Sequence, residues 1–142
     1  MENTVKVTGK VMATLTSPRG SRTVESKNMV VSGGKTFLAQ WLAAASQSGP
    51  FMPYIAVGDD ATAVQASDSA LGNQTAVSLG SVSSALNVLS IEATFAAGVA
   101  TGDILEAGLF SADGGTMFSR ALIVIEKGAD EIATLRWSIT FD

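Results

Sequence analysis

Ile104-Leu105-Glu106-Ala107-Gly108-Leu109-Phe110-Ser111-Ala112-Asp113-Gly114-Gly115-Thr116-Met117-Phe118-Ser119-Arg120 is the stretch that decides the fold. Two apolar runs flank Ala112-Asp113-Gly114-Gly115, and an Asp-Gly pair accepts the positive φ angles that a tight hairpin turn demands. The second run continues through Ala121-Leu122-Ile123-Val124-Ile125 without a polar residue. Such a strand has no face to give to water, so the pattern predicts a central strand covered on both sides.

Working outward, Leu89, Ile91, Ala93 and Phe95 alternate with Ser90, Glu92 and Thr94, which predicts a strand over 86–95. Gly98 to Asp103 then turns the chain into the hairpin. On its far side Lys127-Gly128-Ala129-Asp130 is a tight turn, and Leu135, Trp137, Ile139 and Phe141 mark a last strand over 132–141. Near the start, Val5, Val7, Val11, Ala13 and Leu15 alternate with Lys and Thr residues. Ser17-Pro18-Arg19-Gly20-Ser21 is a turn, followed by a strand over Arg22 to Val24, a polar break at 25–28 and a buried run at Met29-Val30-Val31. One segment changes period: Phe37, Leu38, Trp41, Leu42 and Ala45 share a helical face. It predicts a helix over Gly34 to Ser46, with Ser32 as its N-cap, Gly49-Pro50 as its stop and Trp41 as a core anchor. Residues 51–58 read as a short strand, and Asp59 to Gly80 as a long surface excursion of weak periodicity.

The expected fold is therefore a single domain over residues 1–142. It is all-β, a mostly antiparallel β-sandwich of the jelly-roll or immunoglobulin-like (Ig-like) kind, with one short α-helix. Its expected core takes Val7, Val11, Phe37, Trp41, Ile55 and Val57 from the first half. From the second it takes Leu89, Ile91, Phe95, Leu109, Phe118, Leu122, Val124, Leu135, Trp137 and Ile139.

Composition narrows the function. Hydrophobic residues make up 46% of the 142-residue chain and charged ones only 15%, against roughly 25% charged in soluble domains. Such a surface is either covered by Ser, Thr and Gly or buried against neighbours in an assembly. The net charge of −4 argues against nucleic acid as a partner, since that needs a basic stripe. No apolar run approaches the roughly 20 residues of a membrane span. The polar opening Met1-Glu2-Asn3-Thr4 does not read as a secretory leader, so synthesis in a cytoplasm is expected.

The chain contains neither histidine nor cysteine, which excludes Ser-His-Asp and Cys-His nucleophiles and the common zinc sites. Paired carboxylates remain as a chemical option. Glu92 and Glu106 fall on strands expected to be neighbours, but two strand glutamates read better as a solvated face. Asp59, Asp60 and Asp68 lack the ordered spacing of a calcium loop. Gly33-Gly34-Lys35-Thr36 imitates the end of a phosphate-binding loop, yet Met29 stands where the first glycine belongs. Asn73-Gln74-Thr75 matches a glycosylation acceptor by chance. No catalytic, cofactor-binding or metal residue is assigned, no cofactor is expected, and the chain reads as not an enzyme.

Several segments resemble a pattern in small structural proteins of tailed bacteriophages. They are Lys27-Asn28-Met29-Val30-Val31-Ser32-Gly33-Gly34, Tyr54-Ile55-Ala56-Val57-Gly58, Asp68-Ser69-Ala70-Leu71-Gly72, Ile104 to Phe110, Gly115 to Arg120 and Trp137 to Phe141. The resemblance implies a virion component made in the host cytoplasm, tail- or tail-fibre-associated, without catalytic residues. It also admits a capsid decoration protein that cements the head. A carbohydrate-binding module at a host-facing tip is the rival from another class, with Tyr54 as its one tyrosine for stacking on sugars. The implied partners are copies of itself, in a trimer or hexamer arrangement, and other virion proteins, with no nucleic acid and no membrane. Either Met1 to Leu15 or the 59–80 excursion is expected to cross a subunit boundary. The N-terminal segment is favoured because its alternation already makes a two-faced strand.

Overall fold

The Asp113-Gly114 turn closes the expected hairpin. Ser111 N–H donates to the Thr116 carbonyl at 2.9 Å, Gly115 N–H to that of Ala112 at 2.9 Å, and Gly114 takes φ +69°. The computed structural model describes residues 6–43 and 52–142. Among these the chain forms β1 (Val7–Ser17), β2 (Gly20–Val30), α1 (Ser32–Ala43), β3 (Tyr54–Gly58) and β4 (Gln74–Leu79). It continues with β5 (Ser81–Ala85), β6 (Val88–Phe95), β7 (Gly102–Phe110), β8 (Met117–Lys127) and β9 (Ile132–Phe141).

The nine strands make one sheet in the order β4-β3-β7-β8-β2-β1-β9-β6-β5, and every neighbouring pair is antiparallel. The mostly antiparallel, all-β architecture with a single short helix is the one that the alternation predicts. Strand β2 turns a corner: residues 20–27 pair with β1, whereas Asn28, Met29 and Val30 pair with β8. Two layers thus face each other and share that strand, so the sandwich is curled nearly into a barrel. Val11, Leu15, Ile55, Ile91, Phe95, Ile123 and Leu135 fill the space between, around a Trp137 that is 0% exposed.

Helix α1 lies against the start of β8, with Phe37 and Leu38 packed on the main core cluster. A Cβ on Gly34 would stand 2.2 Å from the Phe118 carbonyl oxygen, so this close approach requires glycine. The N-terminal half of β8, Met117 to Ala121, is buried throughout as predicted. Its second half alternates, and Val124, placed in the core by its apolar run, is 76% exposed. Arg120, in the first half, lies beneath the 59–73 loop, and Val124 stands beyond that cover. Phe37 and Trp41 are only half-buried, their rings 6.0 Å apart, so Trp41 caps the core from one side.

Other boundaries moved for stated reasons. Strand β2 runs unbroken through 25–28, because Glu25 and Lys27 face water from a paired strand. The helix starts at Ser32, and residues 44–46, like Phe51 and Val5, lie outside the described residues. Residues 74–79 are strand β4, not part of an excursion. Leu86 is the tip of a hairpin between β5 and β6. Of the 1–15 segment, residues 1–5 lie outside the described residues, and β1 pairs with β2 on one side and β9 on the other, so over most of its length its described part has no free edge.

Candidate functional site

The most built polar feature of the described residues is a knot around Glu106. Two features of β7 put that carboxylate where it is. Ile104 faces the core, but the register slips between Ile104 and Glu106, so the inward positions become Ala107 and Leu109. Glu106, Gly108 and Phe110 then face outward, beneath the chain segment 59–73 that crosses β3, β7 and β8. Leu71 of that segment joins Val31, Ala56, Phe110 and Met117 in a second, smaller apolar cluster. Glycine is again dictated by contact: a Cβ on Gly58 would stand 2.5 Å from Glu106 Oε2, and one on Gly108 3.0 Å from Leu71.

Glu106 is 0% exposed and Arg120 2%. Oε1 of Glu106 accepts from Arg120 Nε at 3.1 Å, from Arg120 Nη2 at 3.0 Å and from Gly72 N–H at 2.8 Å. Oε2 accepts from Asn73 N–H at 2.9 Å and Asp60 N–H at 3.2 Å. The guanidinium in turn donates Nη1 to the Thr62 carbonyl at 2.9 Å and to Asp68 Oδ2 at 3.2 Å. Both charges are therefore bound at nearly every polar atom, which is the condition for a buried ion pair to be tolerated. A carboxylate so occupied has no lone pair left to move a proton for a substrate. The arrangement fastens a loop.

The aspartates of that loop serve its own turns. Asp60 Oδ1 accepts from Thr62 N–H at 2.7 Å, and hydrogen bonds from Thr62 hold its carboxyl below the usual aspartate range. Asp68 Oδ2 accepts from Gln65 N–H at 2.9 Å, and Asp59 Oδ1 from Asn73 Nδ2 at 2.6 Å. Among the described residues no three metal-ligating side chains of the His, Cys, Asp and Glu kind gather. Glu92 does not join Glu106: it lies exposed on β6, with β9, β1, β2 and β8 between it and β7. The Gly33-Gly34-Lys35-Thr36 segment forms the first turn of α1 against β8. The Asn73 side chain is bound to Asp59.

Two further polar features had no counterpart in the sequence reading. Lys127, expected in a turn, is buried at the end of β8 with Nζ donating to the Ala96 carbonyl at 3.0 Å. Burial pushes its ammonium pKa below 10.5, against the smaller opposing pull of Glu131. At the same end Arg19 pairs with Asp130 at 2.9 Å and Arg22 with Glu131 at 3.0 Å, which ties the β1–β2 turn to the β8–β9 turn. The hydrogen bond from Arg22 holds the Glu131 carboxyl below its usual 4.5. The available signal for the buried knot was one acid and one base, Glu106 and Arg120, on the two arms of the hairpin.

Apolar residues are exposed around the two ends of the sheet: Met52 before β3, Val77 and Leu79 on β4, Val82 on β5 and Leu86 at the β5–β6 tip. An apolar groove of about 280 Å³ adjoins them, between Phe37, Leu38 and Trp41 of α1 and Val82, Leu89 and Phe141 of the sheet. From Ser69 to Ile91 the chain carries no charge at all. No protein-family model, no curated protein and no solved structure matches this chain.

Proposed function

We propose that this chain is a non-enzymatic structural component of a tailed-bacteriophage virion, tail- or fibre-associated, that works by self-association and by docking onto other virion proteins. The observation that carries the reading is the division of polar and apolar groups. The buried charges Glu106, Arg120 and Lys127 are spent on main-chain groups and on each other. The uncharged ends of the sheet, with Leu79, Val82 and Leu86, lie open. Charges turned inward and an apolar, neutral margin turned outward suit contact rather than turnover.

The test is location. Purified particles of the parent phage are probed with gold-labelled antibody against this chain, alongside mass spectrometry of their protein content. Label on the tail or its fibres is the expected result. Label over the head shell would replace it by the decoration reading, and absence from washed particles would overturn the virion reading altogether.

A further inference from the structure

The segment that covers Glu106 and Arg120 is closed at its own base. Asp59 N–H donates to the Asn73 carbonyl at 3.2 Å, and Asn73 Nδ2 donates to Asp59 Oδ1 at 2.6 Å. Between these residues the chain also binds itself. Thr62 N–H donates to Asp60 Oδ1, Gln65 N–H to Asp68 Oδ2 and Asp68 N–H to the Gln65 carbonyl. Residues 60–72 thus form a compact loop with adjoining ends, whose internal bonds do not depend on the sheet beneath.

Its hold on the sheet is narrow. Leu71 is the only buried residue of the loop. It meets Phe110 and Met117 over Gly108, where a Cβ would stand 2.9 Å from Phe110, 3.0 Å from Leu71 and 3.3 Å from Met117. Among the described residues the polar attachments converge on Glu106 and Arg120, apart from Ser32 N–H donating to the Ala66 carbonyl at 2.8 Å. Bonds that share two anchoring side chains are made and lost together. A unit with so little apolar burial opens at a lower free energy than the sheet, whose strands fill the main core. When it lifts, Glu106 and Arg120 keep one another, because Oε1 still accepts from Nε at 3.1 Å and from Nη2 at 3.0 Å. Water replaces the loop's N–H and carbonyl groups, and neither charge is left both dry and unpaired.

We propose that residues 60–72 are a strap that lifts as one unit from a folded sheet and bares the apolar face of Ala56, Phe110 and Met117. The inference stands apart from the virion reading, which its failure would leave untouched.

The chain has no cysteine, so single introduced thiols report exposure. Ala56→Cys places a thiol beneath the strap and Ala133→Cys places one in the main core, both at positions that are 0% exposed. The full chain is labelled with a thiol reagent over a series of low urea concentrations. The thiol at position 56 is expected to react at least about tenfold faster than that at 133. Its rate is expected to rise only shallowly with urea, because the strap exposes little surface. Adding Leu71→Ala to Ala56→Cys is expected to speed labelling by about tenfold or more. Equal rates with the same steep urea dependence would overturn the strap, since both thiols would then wait for global unfolding. Labelling that Leu71→Ala leaves unchanged would overturn it too. Hydrogen exchange of the unmodified chain decides where a cysteine variant does not fold. The Asp60 and Gly72 amides are expected to exchange together and ahead of those of β1 and β9, and exchange in step with those strands would overturn the proposal.

Discussion

Arg120 holds more of this molecule together than any other charged residue described. Its guanidinium binds β7 through Glu106 and the 59–73 loop through Thr62 and Asp68. Arg120→Ala strands a buried carboxylate without its counter-charge, so it is expected to cost about 3–5 kcal/mol in urea unfolding. A loss under about 1 kcal/mol would mean that Leu71 and the main-chain hydrogen bonds to Glu106 hold the loop without it. Because the two side chains form one unit, Glu106→Gln combined with Arg120→Met is expected to lose less than the sum of the single changes. Lys127 makes the opposite case, a buried charge with no counter-ion in contact among the described residues. Its folded-state pKa lies below 10.5, so the unfolded chain binds more protons between those two values and stability rises with pH across that window. Wild type is therefore expected to gain stability relative to Lys127→Met as pH climbs toward 10.5. A difference that stays flat would place the ammonium in water. Neither residue's burial was legible in the sequence. By simple alternation Glu106 would share the face of Ile104, and only the slip after Ile104 turns it under a loop that the strand's own pattern does not encode.

At the scale of elements, the hairpin of β7 and β8 and the strand β9 were readable because turn chemistry and period agreed there. Trp137, at the middle of β9 between Val11 and Ile91, is expected to cost about 3–5 kcal/mol on replacement by alanine. A cost below about 1 kcal/mol in chemical denaturation would contradict its complete burial. Strands β4 and β5 were missed for a physical reason. They bury little, so their residues show no apolar alternation, and pairing with β3 and β6 is all that makes them strands. Their absence of charge was the available signal. Leu86, between β5 and β6, pays no packing role in its own subunit, yet it adopts a left-handed backbone that costs an L-residue about 1–2 kcal/mol. Leu86→Gly is expected to stabilise the isolated subunit by up to about 1 kcal/mol, after the extra chain entropy that glycine loses on folding. A thermal melt at low protein concentration reads the effect, and destabilisation instead would show that the leucine packs within its own chain.

For the whole molecule, the question is which surface carries association. The N-terminal strand was the sequence's best candidate, since its alternation gives two usable faces. The topology uses it up instead: β1 is an interior strand of the curled sheet, and its hydrogen bonds go to β2 and β9. Among the described residues, the exposed large apolar side chains of the uncharged run 69–91 are Val77 and Leu79 on β4, Val82 on β5 and Leu86 at the β5–β6 tip. The proposed self-association would rest there on apolar contact, with ion pairs a minor term. The ion pairs of the exposed surface, such as Lys10 with Glu25 at 3.2 Å, lie elsewhere and bind within the chain. Salt separates this from a charge-driven contact. Between about 0.1 and 1 M sodium chloride the screening length falls from about 10 to 3 Å, which weakens opposite-charge pairs. It also weakens the mutual repulsion of copies that each carry −4, and it leaves apolar burial nearly untouched. Self-association measured by sedimentation is therefore expected to hold or tighten as salt rises over that range. Dissociation with rising salt would mean that charged residues outside the 69–91 run carry the contact, and the neutral margin would lose its role.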